Sequence, residues 1–396
     1  MLRDSQVLLA RGYGQSNVEL AVPATDSTVY QSGSVGKQFT AAAVVMLAQQ
    51  GRLDLDGPIT RWLPHGTGVW DRVTVRHLLT HTSGIREYTD STFDFRRDYT
   101  EDQLVKFAAA RPLDFPPGER WAYSNTGYVL LGALVRRVTG QFYGAVLRDL
   151  IFSPLGMQST RIISEAEIVP HRSAGYQLVD GRLVHQEWVA PTLNTTADGS
   201  LYVTINDLIK WAFALRRGPV PGAGALRMAW TPLRLADGAA FPYGFGWDLT
   251  EQRGHQRVGH TGSWQGFKAA IALYPKHGLA VLALANLAQS EPGAMIEAIA
   301  GILEPALQPA HQLTKALPGP VPHLPIDQLL RELADGKEKD AVTPRFRRFV
   351  SPGLRGELRQ LVEGTKAWTS LGCDHVAGQR VTWLGAVVER ICYAKG

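Results

Sequence analysis

Four strand-like segments crowd into residues 244–285, at 244–249, 256–260, 267–274 and 279–285. Each is strand-length and bounded by turn residues, which is the pattern of neighbouring β-strands. Lys276-His277-Gly278 fits a tight hairpin between the last two. A second β signal stands at the other end of the chain, where Val7-Leu8-Leu9-Ala10 and Val18-Glu19-Leu20-Ala21-Val22 flank Gly12-Tyr13-Gly14 and predict a hairpin. Between them, about residues 53–184, the text breaks into short helical periods punctuated by Pro and Gly, at 75–79, 101–110 and 128–139. Thr204 or Asn206 caps a further helix over 208–215, and another is expected over 294–303. Strands at both ends of a helical middle require one sheet built from distant segments. The expected fold class is therefore α/β (α+β): a central antiparallel sheet flanked by helices, with an inserted helical subdomain.

The 396 residues are enough for one large domain and one small one. The large domain is expected over 1–305. A proline-rich linker follows at 306–325, and then a small α+β domain over 326–396, with helices at 326–333 and 354–362 and a strand-like stretch at 379–393. Its β face reads as incomplete, so the chain is expected to stop before that domain does. The net charge of +5 is small for this length, and Arg345-Phe346-Arg347-Arg348 reads as a solvated helix face without any nucleic-acid motif. No nucleic-acid partner is expected. Cys373 and Cys392 form neither a disulfide framework nor a C-x-x-C motif and are expected to be reduced. No apolar run approaches a membrane span and no signal peptide opens the sequence, so a cytoplasmic location is expected, with a removed export signal left open.

Chemistry concentrates first at Ser34-Val35-Gly36-Lys37. If a helix begins here, residues i and i+3 share a face and Lys37 stands beside the Ser34 hydroxyl. The helix N-terminus also favours the negative charge that develops in acyl transfer. An alanine-rich run, 40–50, supports that helix, with Gly51 closing it as C′. Lys37 serves as a base only if burial or a neighbouring cation lowers its pKa. A second proton acceptor comes from Tyr123-Ser124-Asn125, where an extended segment would point Tyr123 and Asn125 the same way. A tyrosinate beside an ammonium is a competent base, and the asparagine amide can hold Lys37 and a substrate carbonyl. His260-Thr261-Gly262-Ser263 lies between two strands; Gly262 permits close backbone approach, and the Ser263 N–H pairs with that of Ser34 as an oxyanion hole.

Together these three segments resemble the serine β-lactamase and penicillin-binding-protein superfamily, in its class C-like branch with the family VIII esterases and D-aminopeptidases. The stretches 75–84, 115–118 and 199–204 also look like that branch, and the resemblance spans about residues 5–305. It implies Ser34 as nucleophile, with Lys37 and Tyr123 sharing the base and acid roles and Asn125 supporting them. His260, Thr261 and Gly262 would line the strand edge, and the amides of Ser34 and Ser263 would form the oxyanion hole. No cofactor or metal is implied. Two departures stand out. His260 occupies the place where true β-lactamases and penicillin-binding proteins carry lysine, so carboxylate recognition should weaken and ester or amide hydrolysis should outrun penicillin turnover. The helix that normally precedes the first strand is also missing, so the sheet is expected to be partly uncovered.

His77 and His81 have the i, i+4 spacing of a zinc pair, but no third ligand is evident and a helix-packing role is favoured. Asp198 and Asp207 are expected to cap or orient. No G-x-S-x-G elbow surrounds Ser34, Ser83 or Ser263, which excludes an α/β-hydrolase nucleophile, and there is no P-loop or dinucleotide fingerprint. The expected function is a serine hydrolase acting through an acyl-enzyme on a small ester, amide or peptide. The alternative is a catalytically dead penicillin- or peptide-binding module of the same fold. The oligomeric state is not legible.

Overall fold

The computed structural model describes residues 1–89, 93–218 and 220–308, and beyond them residues 331, 335, 368–370 and 393–395. In chain order, β1 (Leu2–Arg3), β2 (Gln6–Val7), β3 (Gln15–Asn17), β4 (Val22–Pro23) and β5 (Tyr30–Gln31) lead to a 3-10 turn, Gly33–Gly36, and α1 (Lys37–Gln49). The middle holds α2 (Val75–Leu79), α3 (Glu101–Ala109), α4 (Asn125–Thr139) and α5 (Tyr143–Leu147). Short strands β6 (Arg161–Ile162), β7 (Tyr176–Val179), β8 (Arg182–His185) and β9 (Leu201–Val203) follow. Then come α6 (Ile205–Arg217), α7 (Ala223–Ala229), β10 (Leu233–Arg234) and β11 (Ala240–Phe241). The last group is β12 (Asp248–Gln252), β13 (His255–Trp264), β14 (Phe267–Tyr274), β15 (Leu279–Ala285) and α8 (Pro292–Leu303).

The central sheet is antiparallel, in the order β12-β13-β14-β15-β1-β2. Alternation along β14 sorts its two faces. Ala270, Ala272 and Tyr274 pack with Leu279 and Val281 against Ile296 and Ala300 of α8. Ala269, Ile271 and Leu273 turn to the main core, which contains Phe39 and Val44 of α1 and Trp211 of α6. That core buries α1 nearly all round, which is why an alanine-rich helix suits the site: Ala41 and Ala43 are 1% exposed. Gly51, at φ 69, follows the helix end as expected. Thr204 caps α6, its hydroxyl accepting the Asp207 N–H at 3.1 Å, so the cap is Thr204 and not Asn206.

The expected N-terminal hairpin does not form. Leu2, wholly buried, pairs with Ala280, and the chain reverses at Asp4 (φ 52) so that Leu2 also faces Val7. Residues 15–17 and 22–23 make a separate hairpin, β3–β4. Burying one leucine on the sheet is worth about 1.5–3 kcal/mol. The half-exposed Val7, Leu8 and Leu9 gain less, so the first residues take the sheet position. The middle is also less helical than expected: β6 pairs with β9 and β9 with β5, tying it to the strand that leads into Ser34. Leu307 is buried against α8 and its carbonyl accepts from Gln252. Residues 1–119 and 123–309 form one compact unit. Of the remainder, Trp368–Ser370 pairs antiparallel with Tyr393–Lys395. Residues 309–325 of the linker, nearly all of the expected helix at 326–333 and of the strand-like stretch at 379–393, the helix at 354–362, the arginine cluster and both cysteines lie outside the described residues.

Candidate active site

Ser34 belongs to the 3-10 turn, and the α-helix proper starts three residues later at Lys37. The i, i+3 relation still holds: Lys37 Nζ lies 3.1 Å from Ser34 Oγ. Lys37 has no exposed surface. Its ammonium donates to Asn125 Oδ1 at 2.7 Å and to the Asp198 carbonyl as well as to Ser34. Three donors thus meet three acceptors. Burial pulls the Lys37 pKa down to about 8, against the opposing pull of the Asp198 and Glu87 carboxylates.

Close backbone contacts set this geometry. Gly33 sits at φ 50, and a Cβ there would lie 2.4 Å from the Ser263 amide nitrogen. A Cβ on Gly262 would lie 2.1 Å from the Ser32 carbonyl oxygen and 2.9 Å from the Ser34 nitrogen. The strand edge at 262–263 therefore rests directly on the turn that carries Ser34. From the other side, Ser32 Oγ donates to the Gly199 carbonyl at 2.9 Å and Thr40 Oγ1 to that of Ala197 at 2.8 Å, which seats Asp198 over Lys37.

The β13–β14 register decides which groups of β13 face this cleft. Gln265 and Gly266, both at positive φ, make a two-residue turn closed by the pair Trp264–Phe267. Hydrogen-bonded and non-hydrogen-bonded pairs alternate from there, so the amides and carbonyls of Ser263 and Thr261 point away from β14. On that side β12 begins at Asp248, opposite Gly259, and among the described residues the edge beyond it has no strand neighbour. Thr261 and Ser263 are exposed on it, while Gly262 is buried.

Tyr123 and Asn125 both reach Lys37, but not from one extended segment. Ser124 is extended (φ −142, ψ 113), and Asn125 is already the first residue of α4. Ser124 caps that helix, its hydroxyl accepting the Gly127 N–H at 3.1 Å. The Tyr123 ring centroid lies 5.0 Å from Lys37 Nζ. Burial pushes the Tyr123 hydroxyl well above its ordinary range, with the hydrogen bond to the Ser34 side chain opposing. The tyrosinate expected as a base near neutral pH is therefore disfavoured.

His260 does not line the edge as expected. Its side chain is buried, turned inward to the Tyr243 hydroxyl at 3.2 Å, and burial lowers its pKa below the usual histidine value. His77 and His81 do not converge: His77 Nδ1 accepts the N–H of Thr74 and closes the capping box of α2, while His81 joins Tyr243. Asp207 orients, accepting from the Thr160 hydroxyl and the Ser159 amide at 2.9 Å each. Asp198 orients through both its carbonyl and its carboxylate, which accepts from the Tyr88 hydroxyl at 3.1 Å.

Sequence reasoning missed Glu87, Tyr88 and Tyr243. Glu87 is half-buried, and its carboxylate accepts the Asn125 N–H at 2.6 Å and the Thr126 N–H at 3.4 Å, at the positive end of α4. Burial pushes its pKa up. No local pattern marks a residue whose partners lie some forty positions away.

A serine thus lies against a buried lysine at a helix start, beneath an antiparallel strand edge. The chain belongs to the beta-lactamase family, whose model matches residues 1–304. It is 28% identical over 378 residues to penicillin-binding protein 4* of Bacillus subtilis (strain 168), covering 91% of this chain and 78% of that protein. The octameric penicillin-binding protein homologue from Pyrococcus abyssi superposes with a TM-score of 0.68 at 29% identity, over 76% of this chain and 72% of that one. D-amino acid amidase from Ochrobactrum anthropi SV3, in complex with L-phenylalanine amide, gives a TM-score of 0.60 at 29% identity, over 69% and 80%. The family thus includes penicillin-binding proteins and amidases on one mixed α/β fold. Among the described residues no helix is long and apolar enough to cross a membrane.

Proposed function

We propose that this protein is a serine hydrolase that forms an acyl-enzyme on Ser34 from small esters or amides. The observation that carries the reading is the arrangement around Lys37. Asn125 Oδ1 and the Asp198 carbonyl only accept hydrogen bonds, so they retain two of its hydrogens whether it is ammonium or amine. The third position, 3.1 Å from Ser34 Oγ, then alternates between an N–H and a lone pair. With a pKa near 8 the amine is available at neutral pH, whereas the Tyr123 hydroxyl stays protonated.

In acylation the Ser34 hydroxyl gives its proton to the Lys37 amine while Oγ attacks the substrate carbonyl. The resulting oxyanion is received by the amides of Ser34 and Ser263. The leaving alcohol or amine takes its proton from Tyr123, which recovers one from Lys37. Water then hydrolyses the ester on Ser34, with Lys37 again as base.

Substrate preference follows from His260. Its ring is buried and faces Tyr243, so a substrate carboxylate at the strand edge would meet the Thr261 and Ser263 hydroxyls and no lysine ammonium from position 260. Neutral esters and amides are therefore favoured over penicillins. The test compares kcat/KM for p-nitrophenyl butyrate, D-phenylalanine amide and nitrocefin in the wild type and Ser34→Ala. The expected result is turnover of ester or amide above nitrocefin, lost in the variant. Nitrocefin as the best substrate would overturn the preference, and activity surviving Ser34→Ala would overturn the nucleophile.

A further inference from the structure

A buried histidine outside the three chemistry-bearing segments joins two sides of the cleft. His81 is 1% exposed and sits at φ 57, in backbone space that non-glycine residues seldom adopt. Its Nδ1 accepts the Ser124 N–H at 3.1 Å, and its Nε2 lies 3.0 Å from the Tyr243 hydroxyl. That hydroxyl lies 3.2 Å from Nε2 of His260, whose Nδ1 meets the Thr261 carbonyl. Four hydrogen bonds thus run from the helix side, where Ser124 caps α4, to the free edge of β13.

Both ends of this chain are backbone groups of fixed polarity, an amide that only donates and a carbonyl that only accepts. A proton count then orders the two rings. Nδ1 of His81 is the lone pair, so its Nε2 carries the hydrogen and donates to the Tyr243 oxygen. Nδ1 of His260 must carry the hydrogen that Thr261 accepts, so Nε2 of the neutral ring is a lone pair facing the Tyr243 hydroxyl, which also hydrogen-bonds Tyr128. The charged groups facing these rings are Lys37 from α1, Asp248 from β12 and Arg257 from β13. Lys37 opposes protonation of both rings and Arg257 that of His260; Asp248 favours it, and burial, the largest influence, keeps both rings neutral. His81 also lies against Tyr123, ring centroids 4.3 Å apart and tilted 36°.

We propose that His81 is a positioning residue: its Nε2–H holds the Tyr243 hydroxyl, which in turn meets His260 beside the Thr261 edge, while its other nitrogen anchors Ser124 at the start of α4. The two sides of the cleft are thereby held in register across Ser34. This inference rests on the reading of Ser34 as nucleophile. It also gives the left-handed backbone at His81 a purpose, since the ring must reach both a strand-side hydroxyl and a helix-side amide.

The wild-type protein tests the wiring without any change to the fold. Two-bond 1H–15N spectra of 15N-histidine-labelled protein, assigned with His81→Gln and His260→Gln, should show opposite tautomers. His81 is expected as Nε2–H and His260 as Nδ1–H, neither protonating across roughly pH 6 to 8. The same tautomer at both rings, or a ring that takes up a second proton in that range, overturns the proposal. Acylation of Ser34 by a fluorophosphonate, followed by intact mass, reads the consequence. His81→Phe should react about tenfold to a hundredfold more slowly, as losses of such supporting partners typically do. His81→Gln, whose amide keeps a donor toward Tyr243, should recover most of the rate. A folded His81→Phe that acylates at the wild-type rate overturns the positioning role. Absence of any adduct in the wild type counts instead against Ser34 as nucleophile and leaves the tautomer result standing.

Discussion

A lysine with no exposed surface must either shed its charge or surround it, and Lys37 does part of each. Three oxygens take its hydrogens, while burial brings its pKa down to about 8 from an ordinary 10.5. The sign for activity follows directly. The amine form is present above about 8 and is lost as pH falls through that value, so acylation should climb with pH and level off above it. We expect this profile for inactivation by an uncharged fluorophosphonate, followed by loss of esterase activity. Lys37→Arg, which keeps a permanent cation in the site, should remove the rise and cost about 10² to 10⁴ in rate. An equally steep rise in Lys37→Arg would assign the titration to another group. At this scale Ser34 and Lys37 were legible because their relation is local, three residues along one turn. Asn125 was legible through its motif. Glu87, Tyr88 and Tyr243 were not, because nothing in the text joins Glu87 to the amide of Asn125 or Tyr243 to His81.

Elements matter here mainly by how closely their backbones approach. The turn 33–36 and the edge of β13 touch with no room for a side chain at Gly33 or Gly262. Gly262→Ala would drive a Cβ into the Ser32 carbonyl, which is backbone and cannot swing aside, so the strand must lift from Ser34. A displacement of that order costs about a hundredfold in rate. The expected outcome is a folded variant, judged by circular dichroism, whose Ser34 acylation is slowed by that order; an unchanged rate would show that the contact does not position the Ser263 amide. The strands 267–274 and 279–285 could be read as apolar runs because both of their faces are buried, the helix from Lys37 as an alanine-rich run because it is buried nearly all round, and the helices from Glu101 and Pro292 from the apolar face each turns to the core. The N-terminal strands could not. Val7, Leu8 and Leu9 look more strand-like than Leu2-Arg3, yet Leu2 alone fits the buried slot beside Ala280. Asn125 reads as extended only while the Ser124 cap goes unrecognised; that cap starts the helix at 125, three residues before the expected 128.

Seen whole, the molecule brings its site together from three distant stretches. The turn at 33–37 lies at the sheet's inner face, residues 123–125 start a helix in the middle of the chain, and 260–263 are paired with β14 on one side and, among the described residues, have no strand on the other. The fold class was legible because strand signals bracketed a helical middle. The depth at which His260 sits was not, since inward and outward positions on β13 depend on the turn at Gln265-Gly266 and on Tyr243 from another segment. The central claim, that Ser34 is the residue acylated, is tested most directly by intact and peptide mass after reaction of the folded chain with a fluorophosphonate. The account predicts a single adduct on Ser34 that is absent in Ser34→Ala. A wild-type protein that takes up no label, or an adduct that persists in Ser34→Ala, would contradict it.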